Sequence, residues 1–383
     1  MVYILISALI FMFLTSLVLI RNRFEFKSIH SIKPENSSNC PKVSICVPAR
    51  NEEAVIERCI TSLVNQDYSD FEVIVLDDNS EDRTLEILQR LANTYSTLKI
   101  IDGKPKPDDW LGKPWACHQL SKEASGEIFV FVDSDVWMEH DIISKSVTRM
   151  QSLDSLTIWP QQQVESFFER LIVPTVYFSL LTLLPTIYVE RSPRWMPGFL
   201  RTQLNQKFTA ACGQFFAFTK SAYKKIGGHE SVKKQVVEDM ELARIIKSQA
   251  LSLSMMNGID SVYCRMYSSG SEIWQGFQKN FLSGFGNLFE FLFMAVLHAL
   301  FFLFPIYTLI NGILFSEQTI VMLSAAVIGI YIFQRLMLNL WFRWNWITAF
   351  LHAFSVVWFQ ILGLKCLVNR IFGLKSSWKG RSV

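Results

Sequence analysis

Four short apolar runs alternate with three amphipathic ones between residues 43 and 132, and this alternation limits the fold more than any other feature of the chain. "VSICV" from Val43, "FEVIVL" from Phe71, "LKII" from Leu98 and "EIFVFV" from Glu127 each have the length and composition of a buried strand. Between them, "NEEAVIERCITSLVNQ" places Val55, Ile56, Cys59, Ile60, Leu63 and Val64 on one helical face. "EDRTLEILQRLANTY" is a second amphipathic helix, and "PWACHQLSKEA" a third with Pro114 at its start. Strands separated by helices in this way build a mostly parallel sheet covered by helices. Ligands on such sheets bind at the carboxyl ends of the strands.

The flanks differ in kind. Half of the 383 residues are hydrophobic and 14% are aromatic, with the excess gathered towards the two ends. Residues 3–20 carry no charge and are long enough for a membrane helix. "RNR" follows at once with no small-residue cleavage site, so residues 1–22 read as a retained N-terminal transmembrane anchor rather than a removed signal peptide. Apolar runs return at Phe289–Ile313, Ile320–Phe333 and Ile347–Val368, which makes residues 289–368 a C-terminal transmembrane region. The stretch 41–280 between them suits one sizeable domain. A net charge of +3 offers no electrostatic footing for nucleic acid, which is excluded as a partner. The seven cysteines show no C-x-x-C pairing, the usage of a reducing compartment. Arg21, Arg23, Lys27 and Lys33 behind the first span place the central domain on the cytoplasmic side of the cell membrane.

The strands end in polar clusters. Pro48, Ala49, Arg50, Asn51 and Glu52 come after the first, Asp77, Asp78, Asn79 and Ser80 after the second, and Asp133, Ser134 and Asp135 after the fourth. Alternate residues of a strand share a face, so Asp133 and Asp135 can point into one cleft. Two such acids are costly side by side unless a cation sits between them. A lone D-x-D is common in turns, where Asp bonds its own backbone. Three polar clusters aimed at one rim say more than any one of them.

"VPARNE", "LDDNSED" and "VDSD" at these spacings resemble the inverting nucleotide-sugar transferases of glycosyltransferase family 2, over about Val43 to Asn280. The resemblance implies a GT-A fold: an α/β, mostly parallel sheet flanked by helices. It also implies a UDP-sugar donor, and Mg²⁺ or Mn²⁺ to neutralise the diphosphate as the glycosidic bond breaks. On that likeness Asp135 is the direct metal ligand, and Asp133 contacts the ribose or the metal through water. Asp78 accepts the uracil N–H, and Pro48, Arg50, Asn51 and Glu52 border the nucleotide. Asp82 or Ser80 can at the same time cap the following helix, and Asn51 or Glu52 can simply start one. Lys113 in "WLGKPWA" suits a phosphate beside a helix start, or equally a solvated loop.

An inverting transfer also needs a base for the acceptor oxygen. "VEDMELAR" from Val237 puts Glu238 and Asp239 at a helix N-terminus, where acids are ordinary. The preceding "ACGQFFAFTKSAYKKIGGHE" matches the family's lead-in, and by that match Asp239 is the base and Glu238 its support. His229 is expected in a surface loop. The Q-x-x-R-W of processive polysaccharide synthases is missing from "SEIWQGFQKN", so the resemblance narrows to single-transfer enzymes. Trp274, Phe277 and Phe281 suit either a helix lying on the membrane or plain core packing.

One anchor plus several C-terminal spans looks like the membrane-bound members that act on carotenoid or hopanoid lipids. The implied acceptor is a membrane lipid, such as a carotenoid acid or another polyisoprenoid, and the implied sugar a hexose, glucose first. Residues 171–189 could span by length, but a crossing there would put Asp239 opposite Asp135. They are therefore expected to be interfacial or re-entrant at the acceptor entrance, with buried domain helices as the alternative. "ERSPRWMPGFLRTQ" after them suits a lipid surface. Three spans after Lys279 would leave Lys375, Lys379 and Arg381 outside, against the positive-inside rule, unless two merge or one is re-entrant. Two rival functions remain: a polyprenyl-phosphate or other glycolipid sugar transferase, and a non-catalytic membrane scaffold. The joint presence of Asp78, Asp135 and Asp239 argues against the scaffold.

Overall fold

The computed structural model describes residues 1–34, 40–193, 195–200, 205–285, 287–374, 377–378 and 381–382. They form two compact units. One comprises Glu25–Gln163 and Thr186–Met266 and holds the main sheet; the other comprises Met1–Phe24, Val164–Pro185 and the chain from Tyr267 onward. The span 41–280 is thus shared between them, since 164–185 and 267–280 belong to the second.

Eight strands make the sheet: β1 (Val43–Ala49), β2 (Phe71–Asp77), β3 (Leu98–Asp102), β4 (Ile128–Val132), β5 (Val136–Met138), β6 (Ser155–Gln162), β7 (Phe215–Thr219) and β8 (Leu253–Cys264). Their order is β3-β2-β1-β4-β7-β6-β8-β5. β1, β2, β3 and β4 run parallel, as do β6 and β8, while β7 and β5 pair antiparallel. The parallel half is the part the alternating pattern announces. All five residues of β4 are buried, as expected for a central strand covered on both faces. The helix Ile56–Val64 turns Ile56, Cys59, Ile60, Leu63 and Val64 onto the sheet, where they join Ile45, Val47, Val73, Val75, Val130 and Val132 in one core. Truncating a fully buried leucine such as Leu63 to alanine would cost about 2–5 kcal/mol. That core fixes the strand ends, and with them the rim.

Among the described residues the apolar unit holds four helical stretches long and apolar enough to cross a membrane: Val2–Glu25, Leu288–Leu314, Gln318–Trp341 and Trp346–Ile371. The second contains a π-helical turn at Ala299–Leu303, with Pro305 two residues beyond it. A proline lacks the N–H that would close the preceding turn and crowds its carbonyl, so a wider turn there relieves both faults. Residues 171–183 lie in a helix, Phe167–Leu183, opened by a Ser166–Glu169 capping box and containing Pro174. Most of its side chains are buried in this unit. Its Leu171 carbonyl, in the proline-bearing turn, accepts from Arg335 Nη2 (3.1 Å) and Ser355 Oγ (2.9 Å). Trp274 and Phe277, on the helix Gly270–Asn280, pack edge-on against Trp358 and Phe359 at 5.3 and 5.4 Å, and Phe281 stacks on Phe359 at 5.6 Å. All three rings remain half-buried in this packing. Lys375 and Lys379 of the tail, and Arg194 and residues 201–203 of the basic aromatic stretch, lie outside the described residues, as does the Arg381 side chain.

Candidate active site

The loops after β1 and β2 are bound to each other. Arg50 Nη1 donates to the carbonyls of Asp78 (2.7 Å) and Asn79 (2.6 Å), and its Nη2 pairs with Glu81 at 3.1 Å. Asn51 Oδ1 accepts from the Glu81 N–H at 2.8 Å, and the Glu52 N–H donates to Thr84 Oγ1 at 2.7 Å. Asn51 (φ 52°) and Asn79 (φ 56°) take the left-handed conformation, which asparagine tolerates better than most residues. The β4 loop joins the same set, since Ser134 Oγ donates to Glu52 Oε1 at 2.7 Å. The three clusters therefore meet at one rim.

Work among the acids of the β2 loop is divided. Asp82 Oδ1 accepts from the Thr84 N–H (3.0 Å) and so holds the start of the next helix, and Asp77 Oδ2 accepts from the Ser80 N–H (3.2 Å). Asp78 is 5% exposed, and its own N–H donates to the Ala49 carbonyl at 2.8 Å.

A second group sits below this rim. Pro48, Lys113, Asp133, Gly213, Glu238 and Asp239 line one small cavity. Lys113, in the first turn of the helix Gly112–Glu123, lies 2.7 Å from Asp133 Oδ1 and 3.0 Å from Glu238 Oε1. Its side chain keeps 36% of its surface open, whereas Glu238 keeps 9%. Burial alone would lower the Lys113 pKa, but the charges of Asp133 and Glu238 outweigh it and hold the ammonium well above the usual lysine range. Burial likewise favours protonating Glu238, yet the Lys113 charge and hydrogen bond keep its carboxyl below the ordinary value. Asp239 goes the other way. Burial and the neighbouring Glu238 charge raise it to about 6, although Lys113 and the N–H groups of Gly213 and Met240, each at 2.8 Å, favour its anion. Adjacent acids driven apart in this way are what acid–base chemistry at neutral pH requires.

His229 is not on the surface. It is 4% exposed, its Nδ1 lies 2.7 Å from the Tyr223 hydroxyl, and its ring meets Phe131 edge-on at 4.6 Å. Gly227 (φ 77°) and Gly228 (φ 52°) fold the chain back at this point, which tucks the ring under the cavity it helps to line. Burial lowers its pKa to about 3 and keeps it neutral.

Among the described residues no group of three or more His, Cys, Asp or Glu side chains forms an all-protein metal cage. Asp133 and Asp135, two apart just after β4, offer carboxylate oxygens of the kind a hard cation takes together with a diphosphate and water. The residues present fit a Mg²⁺ or Mn²⁺ shared with a ligand in that manner.

The order of the sheet's parallel half, with polar strand ends converging on a basic and acidic cavity, is that of a GT-A fold. Residues 44–227 match the family model described as Glycosyl transferase family 2. It is 27% identical over 258 residues to the 4,4'-diaponeurosporenoate glycosyltransferase of Staphylococcus haemolyticus, covering 66% of this chain and 64% of that one. This chain thus spans less than two thirds of that relative's length. The Staphylococcus aureus (strain USA300) protein of the same name is 26% identical over 269 residues, 68% of this chain and 67% of the other. Among solved structures, a mannosyltransferase from Pyrobaculum calidifontis in complex with GDP-Man and Mn²⁺ aligns over 97% of this chain and 99% of its own. Its TM-score is 0.55 at 17% identity, a likeness of fold.

Proposed function

We propose that this glycosyltransferase inverts the anomeric centre as it moves a hexose, glucose, from a UDP-sugar to a membrane lipid, a carotenoid acid such as diaponeurosporenoate. The observation that carries the reading is Asp239. Its carboxylate is fixed by two backbone N–H groups, has a proton affinity suited to neutral pH, and shares a cavity with Asp133 and Lys113. Asp78 accepts the uracil N–H, and Pro48, Arg50, Asn51 and Glu52 hold the loops that border the nucleotide, with Asp133 on the ribose side. Asp135 would hold a Mg²⁺ or Mn²⁺, which when bound would neutralise charge growing on the departing diphosphate. Asp239 then takes the proton of an acceptor hydroxyl as its oxygen attacks the anomeric carbon. A carboxylic acid acceptor arrives already ionised and needs Asp239 mainly for orientation.

The chain is multi-pass in this reading, with the sheet unit facing the cytoplasm behind Arg21, Arg23 and Lys27. Seven free cysteines agree with a reducing side. Exposed Ile10, Phe13, Leu17, Phe354 and Leu364 give the apolar unit a lipid-facing surface. The relatives' name favours a carotenoid acid over a polyprenyl phosphate as acceptor.

Asp239→Asn tests the proposal. It should leave UDP binding intact and lower turnover with a long-chain lipid alcohol on the order of 10²–10⁴-fold. With a lipid acid of similar chain the loss should be much smaller. Unchanged turnover with both acceptors would show that Glu238 and Asp239 merely begin a helix.

A further inference from the structure

The proposed base is one of two neighbouring acids, and something must decide which of them takes the proton. Lys113 contacts only one of the two. Its ammonium reaches Asp133 at 2.7 Å on the strand-end side and Glu238 at 3.0 Å on the helix side. Asp239 is oriented instead by the Gly213 and Met240 N–H groups. We infer that Lys113 is a positioning residue: by pinning the Glu238 carboxylate as an ion pair it leaves Asp239 as the acid that accepts the acceptor's proton. The inference rests on the reading of Asp239 as base and adds the reason why Glu238 is not.

Among the described residues, the groups around the pair leave the lysine as the one cation that can do this. From the helix Gly112–Glu123 come Lys113 and the Cys117 thiol, which burial keeps protonated. The β4 end contributes Asp133, and the approach to β7 the Cys212 thiol, also kept protonated chiefly by burial. His229, on the turn Gly228–Val232, is buried and neutral. Without Lys113 two buried carboxylates would face each other with only hydrogen bonds to hold them ionised. Such a pair takes up a proton at higher pH and shares it, so that Asp239 loses its sole claim to it.

Infrared titration of the full chain in nanodiscs, with no substrate present, reads this directly through the protonated-carboxyl band. Wild type minus Asp239→Asn should isolate a group titrating near the value of about 6. Lys113→Met should move that titration up by roughly one pH unit or more, as expected on losing an opposite charge at this range. Lys113→Arg should hold it within about 0.3 unit because the charge is kept. In a Glu238→Gln background Lys113→Met should move it less, because only the direct effect of the lysine charge on Asp239 is then lost. This last pair separates pinning from any contact of Lys113 with Asp133. A Lys113→Met titration that stays in place, or one that moves equally in both backgrounds, overturns the inference. A weaker UDP affinity with an unmoved titration would reassign Lys113 to the donor's phosphate. The base reading fails separately, if Asp239→Asn retains full turnover.

Discussion

Gly213 offers a steric test of how tightly Asp239, the proposed base, is held. Its N–H donates to Asp239 Oδ2 at 2.8 Å, and its φ lies outside the left-handed region, so an alanine there would meet no backbone strain. A β-carbon at this position would stand 3.0 Å from Lys113 Nζ, 3.3 Å from Asp239 Oδ2 and 3.5 Å from Asp239 Cβ. The first two are tighter than ordinary contact, and something must yield by a few tenths of an ångström. The lysine end can retreat, but Asp239 is tied to two backbone N–H groups and has less room. Misplacing a catalytic group by about 1 Å costs on the order of 10²-fold in rate. Gly213→Ala should therefore lose roughly three- to tenfold in kcat, up to about 1.4 kcal/mol on the barrier. Gly213→Val, with two more methyl groups beside the same atoms, should lose on the order of 10²-fold. The assay is transfer from UDP-glucose to a long-chain lipid alcohol in nanodiscs, with UDP affinity measured by calorimetry on the same samples. UDP affinity should hold within roughly twofold, since only the reacting step is disturbed. Wild-type turnover in Gly213→Val would refute the reasoning, as would a loss of rate matched by an equal loss of UDP affinity.

Neighbouring residues give two further outcomes. Calorimetry in Mn²⁺ should rank UDP above GDP and CDP, and Asp78→Ala should erase the preference; tighter binding of GDP would remove Asp78 from the base. His229 bears on stability. Its folded pKa of about 3 lies below the ordinary 6.5, so the unfolded chain binds more protons between those values and stability falls as pH drops through that window. The slope from this residue is about 1.4 kcal/mol per pH unit. His229→Gln lacks that penalty, so thermal melts should show wild type losing ground to it from pH 7 to pH 5, and a constant gap would contradict the burial argument.

The parallel half of the sheet and its polar ends are legible in the sequence because each depends on local pattern. β4 is an unbroken apolar run and β1 and β2 are nearly so, interrupted by Ser44 and Glu72, and Asp78, Asp133 and Asp135 come within three residues of the ends of β2 and β4. β6 and β8 are not legible: "SLTIWPQQ" and "LSMMNGIDSVYC" are buried yet mix polar and apolar residues without a period. The capping question at the β2 loop has no answer in sequence, since Asp77 and Asp82 are chemically alike and differ only in which N–H they meet. Lys113 has a visible signal, a lysine in the first turn of a helix. Its partners Asp133 and Glu238 belong to distant segments, and only the folded sheet brings them to one ammonium. His229 defies its local composition for a similar reason. "GGHE" reads as a surface loop, but positive φ angles at Gly227 and Gly228 turn it inward against Phe131 and Tyr223.

The most direct test of the central claim is mass spectrometry of lipids from cells that express the full chain and are supplied with a carotenoid acid. The account predicts new species heavier by one hexose, present with wild type and missing with Asp135→Asn at equal amounts of folded, membrane-bound protein. Hexose-bearing lipids that persist undiminished in Asp135→Asn, or a lipid profile unchanged by wild type, would contradict it.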